Sequence, residues 1–448
     1  MKSTEMDLTT GSLWKKMLVF SVPLMFSNIL QVLFNMSDVA VVGKFSGPIA
    51  LGAVGSTSLL VTLFTGILLG IASGVNALTA LYIGSKHERN IRQTVHTAGV
   101  VCFVTGLLIM GFGIVFARTV LTMMKTKAEL MEGAVLYLHI YLLGSPALAM
   151  YNFGNAVLSA AGDTKRPLYC LTFSGILNVI LNLIFVIGCH LDVAGVALAS
   201  VTSQYVSAIL VVGMLIRSKA SFAFHPNEIR KEFDADKLCR VLQLGVPAAF
   251  QNTIFSVANL FVQASVNSFD HVMVEGNSAA ANADPLVYDM MAAFYTAGTS
   301  FIAQNRGAGK RDRMMKSYVF SILYSFTVAL ILGVGLYVMR YSFLGLFTSD
   351  REVMEAGIHR LSVMALSYAV SAFMDATIAA SRGLGKTVVP TVVVILGSCV
   401  FRLVWIYTVF ASIHTIRSLY LLYPVSWSIT AVAEIAYFIW IFKRFREN

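Results

Sequence analysis

Twelve apolar stretches dominate this chain, at 15–42, 51–81, 95–117, 134–160, 167–189, 194–216, 240–266, 279–304, 317–339, 357–381, 390–411 and 421–442. Each is at or above the roughly 20 residues that cross a bilayer core as a helix. Backbone N–H and C=O groups in hydrocarbon must find their partners within the segment, which a helix achieves unaided. The expected fold is therefore an all-α membrane protein with twelve transmembrane helices. Composition agrees: 57% of the 448 residues are hydrophobic and 12% are charged, against about 25% charged in soluble domains. A soluble enzyme is excluded on these grounds.

The formal charge is +10, and its placement matters more than its size. With both termini inside, 24 of the 33 Lys and Arg residues fall in inner loops or tails, eight fall outside, and Arg402 lies within a span. Positive residues concentrate in cytoplasmic loops. A multi-pass protein of the plasma membrane with both termini cytoplasmic is expected, and the charge orients the chain in the lipid bilayer rather than binding nucleic acid. Met1 to Thr10 is polar and the first apolar run is long, so no cleavable signal is expected. Five cysteines stand singly, which makes neither a disulfide framework nor a metal site. No nucleotide loop, zinc motif or nucleophile elbow is present, and no cofactor is expected.

The two halves repeat. A single constant shift places Val22 and Pro23 on Val246 and Pro247, Phe26 on Phe250, Asn28 on Asn252 and Asn35 on Asn259. The same shift places Gly74 on Gly298, Lys86 on Lys310 and Arg89 on Arg313. Shortened by one position, it places Thr164 and Pro167 on Thr387 and Pro390. Two pseudo-symmetric six-helix lobes follow, at 1–216 and 241–448, joined by a polar cytoplasmic linker at 217–240. An even number of spans per half makes the repeats parallel, and transporters of this build place their site between repeats near the midplane. Alternating access by rocking of the lobes is the expected motion, and a monomer suffices for it.

Charges within the spans are the candidates for chemistry. Asp38 sits in the first span, where a carboxylate is expensive and so faces protein or water. There it can load and release a proton or hold Na+ among neutral oxygens. The competing reading is a solvated acid at the end of its helix. Pro23 removes a backbone donor from the same helix and marks a hinge. Asn178 and Asn182 lie one helical turn apart on one face, and Thr202 lies in the next span; amides and hydroxyls suit a hard cation or hydrogen-bond a carboxylate. They equally serve to tie helices together. Asp375 and Glu434 are positioned to line a cavity that attracts cations, as are the amides of Gln31, Asn35 and Asn152. Arg402 reads first as a structural cation that pairs with an acid or reaches carbonyls. The repeat is broken at two telling places: Asp38 falls on Val262, and Asn178 falls on Arg402.

Taken together, the paired Val-Pro starts, NALTALYIGSKHERNIR with its partner SFIAQNRGAGKRDRM, AAGDTKRPL with SRGLGKTVVP, and NVILNLIFV before GVALASVTSQ resemble the multidrug and toxic compound extrusion (MATE) family along essentially the whole chain. The resemblance implies a secondary antiporter, not an enzyme, that exports small molecules in exchange for H+ or Na+. It implies a cation-coupling site at Asp38, Asn178 and Thr202, with Asn182 where many members carry a second aspartate. Pro23 matches a proline at which the first helix of some members bends, and Asp375 matches an acidic position of one bacterial branch. The acids favour amphipathic organic cations as cargo. Rival readings are a flippase for a lipid-linked substrate in the same superfamily and a major facilitator transporter. The flippase would need a cationic cavity, and the second loses on the Val-Pro starts and the GDTK loop.

Overall fold

The computed structural model describes residues 6–445. Lys2 and Arg446, counted above among the inner charges, lie outside the described residues. Among the described residues every regular element is helical. The first half contains α1 (Leu13–Phe45), α2 (Gly47–Ser85), α3 (Glu88–Met123), α4 (Ala128–Leu142), α5 (Ser145–Ala160), α6 (Lys165–Asn182) and α7 (Asp192–Ile216). The second contains α8 (Ala235–Val266), α9 (His271–Ala281), α10 (Ala283–Gly307), α11 (Arg311–Val338), α12 (Arg351–Gly383), α13 (Val388–Ile413) and α14 (Ile416–Arg444).

Ten of these segments are long and apolar enough to cross a membrane, and α4 with α5, which meet at a 45° bend, make an eleventh. The twelfth is α10, 25 residues long but carrying Asp284, Asp289 and Arg306. Every residue from Ala297 to Asn305 in α10 is buried. A helix wrapped by protein has no need of an apolar surface for lipid, which is why its composition is more polar than that of its neighbours.

By its internal contacts the chain divides into two compact units. One is built on Phe26–Ala249; the other combines Leu8–Met25 with the chain from Phe250 onward. Both α1 and α8 thus pass from one unit to the other along their length. The crossing points, after Met25 and after Ala249, are themselves equivalent positions of the sequence repeat, since the shift that carries Pro23 onto Pro247 carries Met25 onto Ala249. Each lies just beyond a proline inside the helix, Pro23 in α1 and Pro247 in α8. Proline deletes one i→i−4 hydrogen bond and crowds the carbonyl four residues back, so each helix is weakest where it changes unit.

In the first unit, α2 and the early part of α8 pack backbone to backbone. A Cβ built on Gly74 would lie 2.6 Å from the Gly245 nitrogen, so only glycine fits there. The polar stretch after α7 is fastened to this unit. Phe222 and Phe224 are buried, and the Phe224 ring lies against His96 and Phe153. The His225 N–H donates to His96 Nε2 at 3.1 Å, the Asp234 N–H donates to Thr97 Oγ1 at 3.1 Å, and Lys237 Nζ donates to Tyr82 Oη at 3.1 Å.

In the second unit, the segment before α1 is held as a strap by the end of α10 and the start of α11. Leu8 N–H donates to Gln304 Oε1, and Asn305 Nδ2 donates to the Leu8 carbonyl. Lys310 Nζ reaches the Thr9 carbonyl at 2.8 Å, and Arg313 Nη1 reaches the Gly11 carbonyl at 2.9 Å. Phe20, in the first turns of α1, meets Phe301 edge to face at 5.5 Å.

Candidate functional site

Three helices of the first unit bring polar side chains to one point. α1 contributes Asp38, α6 contributes Asn178 and Asn182, and α7 contributes Ser200. Asn182 Nδ2 donates to Asp38 Oδ1 at 2.5 Å, and Ser200 Oγ donates to Asp38 Oδ2 at 2.9 Å. Behind them Asn182 Nδ2 also donates to Asn178 Oδ1 at 3.2 Å, and Asn178 Nδ2 to Ser200 Oγ at 3.4 Å. The four form a closed polar cluster inside apolar helices. Asn182 is fully buried, and its Oδ1 has no hydrogen-bond donor. Asp38 also acts electrostatically on Tyr137 and Tyr141 of α4, whose rings stack 5.7 Å apart.

The close approach of α1 to α6 depends on Gly175, three residues before Asn178. A Cβ there would stand 1.7 Å from the Phe34 ring. Phe34 precedes Asp38 by one turn of α1, so the glycine that admits the ring also brings the carboxylate to the amides. Immediately after Asn182 the helix widens into a π-helical turn, Leu183–Gly188. Such turns occur frequently at functional sites.

Chemically, the cluster is one carboxylate among oxygens of neutral groups. It offers Asp38, the free Asn182 Oδ1, Asn178 Oδ1 and Ser200 Oγ to a small monovalent cation, or it can take a proton on Asp38. Hard cations prefer such oxygen ligands. No group of three or more His, Cys, Asp or Glu residues suited to a transition metal exists among the described residues.

The remaining residues singled out from the sequence are placed as follows. Thr202 is not in the cluster: it is exposed, and its hydroxyl donates to the Leu198 carbonyl of its own helix at 2.8 Å. Ser200, two residues earlier on the same helix, is the hydroxyl that meets Asp38. Gln31 and Asn35 are exposed on α1, whereas Asn152 is buried on α5 with its Nδ2 unpaired. Pro23 is buried within an unbroken α1. In the second unit, Asp375 is half-buried on α12 and Arg382, two turns on, is the charge that acts on it. Glu434, expected on a cavity wall, is instead completely enclosed, with neither carboxylate oxygen hydrogen-bonded. Trp427, Ala431 and Phe438 of the same helix are buried with it.

Comparison with known proteins matches this organisation. The MatE family pattern matches the chain twice, at 23–184 and 247–408, so that the two matches begin and end at equivalent positions of the repeat. The chain is 27% identical over 389 residues to the probable multidrug resistance protein YoeA of Bacillus subtilis, covering 85% of this chain and 84% of that protein. It is 25% identical over 359 residues to a protein of Shewanella oneidensis named as an FAD transporter, covering 78% and 77%. A crystal structure of MATE in complex with MaL6 superposes with a TM-score of 0.92 over the full length of both chains, at 19% identity. Relatives that share this fold are thus named for different cargoes. From the double family match and the twelve-helix repeat, the chain belongs to the MatE family of multi-pass membrane transporters of the multidrug-efflux type, which are transporters and not enzymes.

Proposed function

We propose that this transporter is a cation-coupled antiporter that exports amphipathic organic cations across the cytoplasmic membrane, with Asp38 as the group that binds the coupling H+ or Na+. The observation that carries this reading is the half-buried Asp38 carboxylate, held on one oxygen by Asn182 and on the other by Ser200, next to an Asn182 Oδ1 that has no donor among the described residues. A charge at such a site must be compensated before it can be buried stably. A proton or Na+ supplies that compensation, and its arrival therefore changes the relative stability of two arrangements of α1.

In the proposed cycle Asp38 takes up the cation from outside. α1 then adjusts at Pro23, and bound substrate is released outward. The six-helix lobes, 1–216 and 241–448, rock, and the cation leaves to the cytoplasm. Only a difference in affinity between the two arrangements can drive this exchange. Asp375 is the acid that draws cationic cargo. Both termini face the cytoplasm, the orientation that the loop charges favour, and one chain is the transporting unit.

Purified protein in liposomes preloaded with a fluorescent organic cation tests the reading. A Na+ gradient and a pH gradient are imposed separately on wild type and on Asp38→Asn. Efflux driven by one gradient, and lost in the variant, is expected. Gradient-driven efflux that survives Asp38→Asn would remove Asp38 from coupling.

A further inference from the structure

The second unit holds a buried charge with no carboxylate partner among the described residues. Arg402, in the short α-helical stretch Phe401–Trp405 within α13, is 1% exposed. Its Nη1 donates to Asn259 Oδ1 of α8 at 2.7 Å. Its guanidinium plane is walled by aromatic rings: Phe255 at 4.9 Å, Tyr423 at 4.8 Å and Trp427 at 5.9 Å. Rings attract the face of a guanidinium but offer its N–H edge no acceptor. Nε and Nη2 are both buried and both lack a hydrogen-bond partner, and among the described residues no carboxylate lies within ion-pair distance.

Arg360, in the same unit, shows a buried arginine balanced by a carboxylate, with Nε its one unpartnered nitrogen among the described residues. It is 4% exposed, its Nη2 meets the Asp284 carboxylate at 2.6 Å, and its Nη1 meets Asn277 Oδ1 at 3.0 Å. Burial of an unpaired charge carries a large desolvation penalty. Two arginines of equal burial, one with a carboxylate and one without, therefore serve different ends.

The two unpaired nitrogens are also the right two. Nε–H and Nη2–H point the same way along one edge of the guanidinium, and that edge is the fork that matches a carboxylate with two parallel hydrogen bonds. Asn259 occupies the remaining side through Nη1 and so orients the fork. The π-helical turns Ile395–Val400 and Ile406–Phe410 flank Arg402 before and after. A π-helical turn likewise adjoins the Asp38 cluster, and Asn178 of that cluster is the repeat equivalent of Arg402.

We infer that Arg402, oriented by Asn259 and walled by Phe255, Tyr423 and Trp427, is a binding site for the carboxylate of a flat aromatic acid. The rings supply stacking surface and the free fork supplies the anion contact. The repeat has thus diverged into two sites of opposite polarity: a carboxylate awaiting a cation in the first unit and a guanidinium awaiting an anion in the second. This site is independent of cation coupling at Asp38.

Isothermal titration of the purified full-length protein in detergent, without any ion gradient, tests the inference. The probes are 2-naphthoate and its neutral counterpart 2-naphthamide. Wild type is expected to bind the acid about 10- to 100-fold more tightly than the amide, the range for a hydrogen-bonded charge. Arg402→Gln is expected to erase that preference. Arg402→Lys is expected to keep a reduced preference, because an ammonium supplies charge without the fork. Equal binding of the two probes by wild type, no binding of either, or an acid preference that survives Arg402→Gln would each overturn the site. The wild-type comparison decides the matter even if a variant fails to fold. Because no gradient is used, failure here leaves gradient-driven efflux through Asp38 untouched, and the reverse also holds.

Discussion

Each oxygen of the Asp38 carboxylate accepts its own hydrogen bond, from Asn182 on one side and Ser200 on the other. A hydrogen bond to a charged group contributes about 1.5–3 kcal/mol, and an acceptor left short of a donor in a buried site loses that amount. Ser200→Ala is therefore expected to shift the apparent affinity for the coupling ion by about tenfold or more, tighter for H+ because the charged carboxylate loses a donor, and weaker for Na+ because the site loses an oxygen ligand. Thr202→Val, which removes a hydroxyl bonded to Leu198 of its own helix, is expected to change it by less than about twofold. Ion-dependence of efflux in liposomes checks both, and equal effects from the two variants would contradict the assignment. The hydroxyl singled out from the sequence and the one that meets Asp38 stand on the same helix, two residues apart. Residues two apart on a helix project about 200° apart, and a span carrying Ser200, Thr202 and Ser203 has no polar stripe narrow enough to identify its inner face. Asp38, Asn178 and Asn182 were legible because a lone acid and an i, i+4 amide pair stand out in apolar helices. The orphaned oxygens of Glu434 were not, since burial on all sides leaves no local pattern.

The elements place these residues by contact between backbones. Phe34 of α1 lies over Gly175 of α6, and a methyl group at position 175 would have to displace the ring. Overpacking of this kind typically costs about 1–3 kcal/mol. Gly175→Ala is expected to lower the thermal midpoint by a few degrees, roughly as such a loss implies, and to impair ion-coupled efflux by moving α1 and its carboxylate. Gly175→Ala combined with Phe34→Ala is expected to recover coupling, because the clash is then gone. Loss that persists in the double variant would show that Gly175 acts through something other than Phe34. At this scale the twelve helices were legible from apolar length, even in α10, where burial by protein lets Asp284 and Asp289 persist. The π-helical turns were not, because their sequences, such as LIFVIG, differ in no local respect from the α-helix around them.

At the scale of the whole molecule, the orientation in the membrane can be read without altering the chain. Cys189 and Cys239 are exposed, and Cys102, Cys170 and Cys399 are buried. With both termini in the cytoplasm, Cys189 at the end of the fifth span lies outside and Cys239 lies inside. A membrane-impermeant maleimide on intact cells is expected to label Cys189 alone, with Cys239 added after permeabilisation; the opposite order would invert the topology. The internal repeat was plain in the sequence because it rests on matched residues such as Pro23 and Pro247. The passage of α1 and α8 between units was hidden, because it depends on partners far away in the chain.

That passage has a consequence for how the molecule is made. The strap at Leu8 meets Asn305 across a sequence separation of 297 residues. A ribosome adding about 5–20 residues per second needs roughly 15–60 s to cover that distance. For that interval the beginning of the chain is in the cell without the partners that will hold it, and the second compact unit, which joins Leu8–Met25 to the chain from Phe250 onward, cannot be finished from one continuous stretch of nascent polypeptide. The first unit, in turn, needs the chain as far as Ala249, beyond the end of the first six spans. A ribosome that stops near residue 216 leaves behind no finished half-transporter, only a set of inserted helices for quality control to recognise and remove.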